Sequence, residues 1–170
     1  MKHPYLRSRL LGAFLSLAII ACDQWSKTLV IAYAHDSLLP MKLLPFFNIV
    51  LVFNTGVSFG MFAGSAPLVG LLLLIGLCFI VIILAVWLLK AQEKLVITAL
   101  GFIIGGAIGN IIDRVRLRGV TDFLDFHVNA YHWPAFNIAD SAIFIGVVLF
   151  VFTNIISENR DLKITMDRKE

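Results

Sequence analysis

Hydrophobic residues gather in four long runs that shorter, more polar segments separate. Crossing a bilayer takes about 20 mostly apolar residues in a helix, and hydrocarbon offers no partner for a free backbone group. The runs therefore predict transmembrane helices at about 10–33, 66–89, 95–112 and 136–156. We expect a single integral membrane domain over residues 1–170 that is mainly α-helical.

The composition supports a lipid environment. The chain is 59% hydrophobic and 15% charged, whereas soluble domains are roughly 45–50% apolar and about 25% charged. Its two cysteines, Cys22 and Cys78, lie far apart in apolar runs, which excludes a disulfide framework and a cysteine-based zinc motif. The net charge of +3 is small and scattered, so we expect no nucleic-acid partner.

The basic residues predict the orientation in the membrane. Nine of the 14 Lys and Arg residues precede the first run, separate the second from the third, or follow the fourth. Cytoplasmic loops are enriched in Lys and Arg. We therefore expect both termini in the cytoplasm, a cytoplasmic tail at 157–170, and outer segments at 34–65 and 113–135.

The first 22 residues also permit another interpretation. A basic start, an apolar run and Cys22 look like a lipoprotein signal sequence that is cut before the cysteine. The apolar run continues to Tyr33, however, and three further runs follow. A membrane-spanning first helix is therefore favoured.

The outer segments predict β-structure. Residues 43–62 are rich in Phe, Val and Ile, and the turn signal at Asn54–Gly56 indicates a hairpin that lies on the membrane surface or covers the helices. Asn54 can serve the turn itself or a functional site. Val120–Phe126 predicts a short strand, in which alternation sends Asp122 and Asp125 to opposite faces.

Two histidines and an aromatic group precede the fourth run. Tyr131 and Trp133 fit an aromatic belt at the membrane interface. His127 and His132 lack further ligand-type residues at metal-binding spacing. We interpret both histidines as exposed interfacial residues.

Small and polar residues inside the runs indicate contacts within and between helices. Gly101, Gly105 and Gly109 repeat every fourth position, which is typical of close helix packing. Asp23 and Lys27 are four apart and can form an ion pair on one helix face.

The polar residues at the end of the third run have two possible interpretations. Asn110 and Arg114 share a helix face. They either anchor the helix end in the headgroup region or form a polar clamp in a site.

Asp140 lies about one turn into the fourth run, roughly 6 Å below its start. A helix cap would suit position 137 better. If the first, third and fourth runs pack together, several polar residues reach the outer boundary at one depth: Asp23, Asn54, Asn110, Arg114, Asp122 and Asp140.

Such a cluster favours acid–base chemistry. Two close carboxyl groups cannot both ionise cheaply, so one keeps a proton while the other activates water. This chemistry indicates an aspartic protease at the membrane face. A transporter that relays ions through buried acids, or a scaffold without chemistry, are the alternatives. A transporter often has acids near mid-bilayer and an internal repeat, and neither occurs here.

Five sequence blocks resemble the lipoprotein signal peptidases (signal peptidase II) of bacteria. They occur in order along nearly the whole chain and are separated by the predicted helices. The blocks are Asp23–Lys27, Asn54–Gly60, Gly105–Arg114, Val120–Phe123 and Phe136–Asp140.

The resemblance implies a membrane endopeptidase that cuts prolipoproteins just before a diacylglyceryl-modified cysteine. It implies a four-transmembrane-helix bundle with a small extracytoplasmic β-sheet, or cradle, and a catalytic pair at Asp122 and Asp140. It assigns substrate binding to Asp23, Asn54, Gly56, Asn110, Arg114 and Asn137.

The same resemblance implies no metal and no cofactor. Its partners are prolipoprotein substrates, membrane lipid and globomycin-type cyclic peptide inhibitors. We expect a monomer in the bacterial cytoplasmic (inner) membrane, with the active site at the outer, periplasmic face.

Overall fold

Four helices and one small sheet form the part of the chain that the computed structural model describes, residues 5–56 and 67–167. The helices are α1 (Leu6–His35), α2 (Pro67–Lys90), α3 (Lys94–Leu117) and α4 (Ile138–Asp167). The strands are β1 (Met41–Leu44), β2 (Phe47–Asn54), β3 (Val120–Val128) and β4 (Tyr131–His132).

Each predicted apolar run lies almost entirely within one helix. Three helices are longer than the runs: α1 extends past both ends of its run, α3 continues to Leu117 inside the predicted outer segment 113–135, and α4 continues to Asp167 inside the predicted tail. Consequently, Asn110, Asp113 and Arg114 all lie on helical backbone, which fixes their relative directions.

Among the described residues, two helices are long and apolar enough to cross a membrane, Gly70–Lys90 and Lys94–Leu117, and Ile138–Thr153 is a shorter apolar stretch. Most described side chains of α2 are exposed, including those of Leu71 and Phe79. Exposed apolar surface on this scale fits contact with lipid. Crossing by all four helices stays a prediction.

The central helix α3 packs against the other three helices. Its glycine row faces α1, since a Cβ added at Gly101 would lie 2.8 Å from the carbonyl oxygen of Gly12, and one at Gly105 would lie 2.9 Å from that of Ser16. Ser16 also donates a 2.9 Å hydrogen bond to the Gly101 carbonyl. The interpretation of this row as close helix packing is confirmed.

The sheet is antiparallel throughout, in the order β1-β2-β3-β4. The strand predicted at 120–126 is confirmed and continues to Val128. The structure has a hairpin that the sequence did not predict, in which Pro45–Phe46 join β1 and β2. Pro45 has no N–H to donate to a neighbouring strand, so the strand ends there and the chain reverses. The turn predicted at Asn54–Gly56 follows β2, where the Gly56 N–H donates to Asn54 Oδ1. The remainder of the predicted hairpin, 57–62, lies outside the described residues.

Candidate active site

A cavity of about 1000 Å³ opens between α2, α3, α4 and β3. Its walls are mostly apolar and come from α2 and α4, for example Leu77, Ile80 and Phe144. Polar side chains gather in one part of the lining, and five of the predicted site residues are among them: Asn54, Asn110, Arg114, Asp122 and Asp140.

Asp122 is held by two amide groups. It lies in β3 and is 3% exposed. Asn54 Nδ2 donates to its Oδ2 at 3.1 Å, and Asn137 Nδ2 donates to its Oδ1 at 2.7 Å. Burial and the charge of Asp140 raise the pKa of Asp122 to about 6, although both amide donors act in the opposite direction.

Asp140 lies in the first turn of α4, not one turn below the helix start. Its main-chain N–H donates to Asn137 Oδ1 at 2.9 Å, and the Asn137 N–H donates back to Asp140 Oδ2 at 3.3 Å. The two residues thus form a reciprocal capping arrangement at positions Ncap and N3. The expectation that Asp140 is too deep to cap is therefore wrong, because the helix begins at Ile138.

Asn110 in the lining and Asn137 behind it connect the two aspartates. Asn110 Nδ2 donates to Asp140 Oδ1 at 2.8 Å, and Asn137 Nδ2 also donates to Asn110 Oδ1 at 3.2 Å. Asn137 is fully buried between the two aspartates. Each aspartate is therefore bonded to Asn137, and neither carboxyl group is free to turn away from the cavity.

The side chain of Asn54 holds the turn after β2 and also contacts Asp122, while its functional role stays a prediction. Its Oδ1 accepts a 3.0 Å hydrogen bond from the Gly56 N–H, while its Nδ2 reaches Asp122. Arg114 donates from its guanidinium to the Gly56 carbonyl. Arg114 therefore holds the turn that presents Asn54 to the cavity.

Asp23 lies behind the cavity lining and has no exposed surface. Its Oδ2 contacts Lys27 Nζ at 2.8 Å, which confirms the ion pair predicted from the spacing. Its Oδ1 accepts a 2.9 Å hydrogen bond from the Ala139 N–H, one of the free donors at the start of α4. Asp23 thus positions the helix that carries Asp140. Contact of Asp23 with substrate stays a prediction.

Lys27 and Asp113 are the positioning residues that sequence reasoning missed. Lys27 Nζ contacts Asp113 Oδ2 at 3.1 Å and donates to Asn110 Oδ1 at 3.1 Å. Asp113 Oδ2 also accepts from the Thr121 N–H at 3.0 Å, which ties the start of β3 to α3. Helical spacing pairs Lys27 with Asp23, but nothing local indicates a partner 83 residues away.

Asp125 has different neighbours from Asp122. It accepts hydrogen bonds from Asn48 Nδ2 at 2.9 Å and lies 2.8 Å from His132 Nδ1. Burial disfavours its charge, but the hydrogen bonds from His132 and Asn48 outweigh burial and lower the pKa of Asp125. The predicted separation of the two aspartates is confirmed.

The two histidines stack on each other with ring centroids 4.8 Å apart. His132 is exposed as predicted, whereas His127 is half-buried. Across residues 5–56 and 67–167, no group of three or more His, Cys, Asp or Glu side chains is arranged to hold a metal ion.

Comparisons with known proteins agree on one family. The sequence model of Signal peptidase (SPase) II matches residues 15–156, a range that includes every polar residue of the cavity described above. The lipoprotein signal peptidase of Desulforapulum autotrophicum is 44% identical over 152 residues, which cover 86% of this chain and 93% of the relative. That of Beijerinckia indica subsp. indica is 36% identical over 151 residues, which cover 88% and 90% of the two chains.

The fold is also similar to that of a solved bacterial membrane enzyme, determined by the in meso method at 2.3 Å resolution. The TM-score is 0.75 at 26% identity, and the match covers 88% of this chain and 90% of the other. Sequence, fold and an acidic cavity next to apolar helices agree, and the chain belongs to the signal peptidase II family of membrane proteases.

Proposed function

We propose that the protein removes signal peptides from bacterial prolipoproteins, and that Asp122 and Asp140 activate the water that cleaves the chain. The observation that carries this proposal is the sharing of one cavity by two carboxyl groups that are both bonded to Asn137. Membership of the family supports the substrate class.

The proposed reaction uses one ionised and one protonated carboxyl group. The ionised group takes a proton from water, and the resulting hydroxide adds to the carbonyl carbon of the scissile peptide bond. The protonated group donates a hydrogen bond to the carbonyl oxygen, where negative charge develops. Collapse of the tetrahedral intermediate breaks the C–N bond, and the first group passes its proton to the leaving amine.

The distribution of polarity in the cavity supports a lipid-modified substrate. The acids occupy one part of the lining, while α2 and α4 supply apolar walls such as Leu72 and Val147. Diacylglyceryl chains and an apolar signal peptide would remain in apolar surroundings while the peptide bond reaches the acids. We propose cleavage N-terminal to the diacylglyceryl-modified cysteine, as the resemblance to the family implies.

We further propose that the protein is a monomer of the bacterial inner membrane with both termini in the cytoplasm. Arg9 supports this orientation, since it donates to the carbonyl oxygens of Lys90 and Ala91 at 3.2 and 3.0 Å. The basic N-terminal segment and the basic α2–α3 connection therefore lie at one end of the helices, as the distribution of Lys and Arg requires. The acids then face the outer side, where globomycin-type cyclic peptides would compete with substrate.

The test uses the purified full chain and a synthetic prolipoprotein peptide with a diacylglyceryl-modified cysteine. Mass spectrometry should find two products, one of which begins at the modified cysteine. The same peptide without the lipid should be cut far more slowly. Cleavage at another bond, or equal cleavage of both peptides, would contradict the proposal.

A further inference from the structure

Lys27 is a buried cation whose hydrogen-bonding capacity is fully used. Its side chain is 3% exposed, and its ammonium contacts Asp23 Oδ2 at 2.8 Å, Asp113 Oδ2 at 3.1 Å and Asn110 Oδ1 at 3.1 Å. An ammonium group has three N–H donors and no acceptor. The first two contacts are with carboxylates of opposite charge. The third is with Asn110, a neutral side chain that lines the cavity.

The contact with Asn110 decides which end of that amide faces Asp140. An amide presents oxygen on one side and NH₂ on the other, and the partners determine the orientation. Lys27 can only donate, so it holds the Asn110 oxygen on its own side. Asn137 Nδ2 donates to the same oxygen at 3.2 Å. The Asn110 NH₂ group is thereby turned to Asp140 Oδ1, at 2.8 Å.

We propose that Lys27 is a positioning residue that acts through Asn110 to keep an N–H donor on Asp140, which favours the ionised form of that carboxyl group. This inference rests on the proposed aspartic mechanism. A fixed N–H donor stabilises a carboxylate and not a carboxylic acid O–H at the same position. Without this donor Asp140 would be protonated more easily, so the pair would take up its second proton at a higher pH.

The other charged groups near the pair do not replace Lys27. Asp23 on α1 and Asp113 on α3 are negative and both contact Lys27 itself. Arg114 on α3 lines the cavity and its charge attracts Asp140 and Asp122, but its hydrogen bond goes to the Gly56 carbonyl. Among the described residues, therefore, Lys27 is the cation that is connected to Asp140 by hydrogen bonds, and the connection runs through Asn110.

The experiment compares pH profiles of kcat and kcat/KM for Lys27→Met and Asp113→Asn. Lys27→Met keeps an unbranched side chain of similar length but removes both charge and donor. The acid limb of the profile, where the pair takes up its second proton, should move to higher pH by about one unit. Asp113→Asn removes a negative charge but keeps the Lys27–Asn110 contact, so its acid limb should stay or move to lower pH.

A double variant protects the test against misfolding. Lys27→Met alone leaves two buried carboxylates without their cation, which can prevent folding. Lys27→Met with Asp113→Asn restores the net charge of the group formed by residues 23, 27 and 113. Because the donor to Asn110 is still missing, the acid limb of the double variant should also move to higher pH.

The outcomes separate this inference from the proposed function. An acid limb that stays at its native pH in both Lys27 variants would overturn the role of Lys27, because a merely structural residue lowers activity equally at all pH values. Equal shifts in Lys27→Met and Asp113→Asn would overturn it too. The aspartic mechanism fails on a different result, namely turnover that survives the loss of either carboxyl group.

Discussion

The side-chain amide of Asn137 donates a 2.7 Å hydrogen bond to Asp122, and the same residue caps the helix that carries Asp140. The residue that begins α4 therefore also fixes the strand carboxyl group relative to the helix carboxyl group. Asp23 reinforces this arrangement by accepting from the Ala139 N–H. The geometry of the acidic pair thus depends on how the first turn of α4 is anchored.

The raised pKa of Asp122 predicts a decline of activity on the alkaline side. Because burial and the charge of Asp140 raise the pKa of Asp122 to about 6, Asp122 keeps its proton below that pH and loses it above. Two ionised carboxylates leave no acid to polarise the carbonyl. kcat/KM, which reports the free enzyme, should fall as the pH rises through about 6. A profile that is flat across this region would contradict the prediction.

Asp125→Asn should reduce stability but leave most of the activity. The lost interaction with the half-exposed His132 costs about 1 kcal/mol of unfolding free energy. The pKa of Asp125 is lowered in the folded protein. Its contribution is therefore complete above the unfolded pKa of about 3.9 and disappears as the pH falls through the lower folded value.

Thermal unfolding at several pH values checks this effect. The difference between the native protein and Asp125→Asn should be present at neutral pH and shrink below about pH 4. Asp125→Asn should also cleave the lipidated peptide at nearly the native rate. If it were as inactive as Asp122→Asn, the assignment of the two aspartates to different surroundings would be wrong.

Arg114→Ala should weaken substrate binding more than it slows bond cleavage. The guanidinium lines the cavity and holds the Gly56 carbonyl, so its loss frees the turn that presents Asn54. A lost charge-assisted hydrogen bond costs about 1.5–3 kcal/mol, which corresponds to a rise in KM of about tenfold or more. The exposed Arg116 on the same helix provides the matched control, and Arg116→Ala should leave KM unchanged. A fall in kcat with native KM would contradict the binding role.

Gly109→Ala should disturb the site without touching the cavity. A Cβ at this position would lie 2.6 Å from Asp23 Oδ2, which would push that carboxylate away from the Ala139 N–H. Overpacking of this kind costs about 1–3 kcal/mol, and we expect turnover to fall with it. Gly70→Ala is the control, because nothing lies within 4 Å of its added Cβ. Equal unfolding temperatures for the two variants would contradict the packing account.

The sequence predicts the helices and the pair of aspartates better than it predicts their supports. Apolar runs are local signals, and each one indicates a helix. The sequence predicts the helix ends less well. Charged residues such as Asp113 and Arg114 are typical of a loop, yet α3 continues through them to Leu117. The turn signal at Asn54–Gly56 is genuine, but the sequence does not indicate the earlier reversal of the chain at Pro45–Phe46.

Long-range hydrogen bonds account for what could not be predicted. The contacts from Lys27 to Asn110 and from Asp23 to Ala139 join residues 83 and 116 positions apart. Periodicity reports which face of a helix a residue occupies, but not which residue of another helix it meets. The start of α4 has a local cause instead: Asn137 caps the helix, so Asp140 lies in its first turn, whereas the apolar run begins at position 136.

The most direct test of the central claim is turnover of the lipidated prolipoprotein peptide by Asp122→Asn and Asp140→Asn. Each substitution keeps the shape of the side chain, so the unfolding temperature should stay near that of the native protein. Turnover by each variant should fall by at least about a hundredfold, because a positioned acid or base is lost. Near-native turnover by either folded variant would remove that residue from the reaction and contradict the two-carboxylate mechanism.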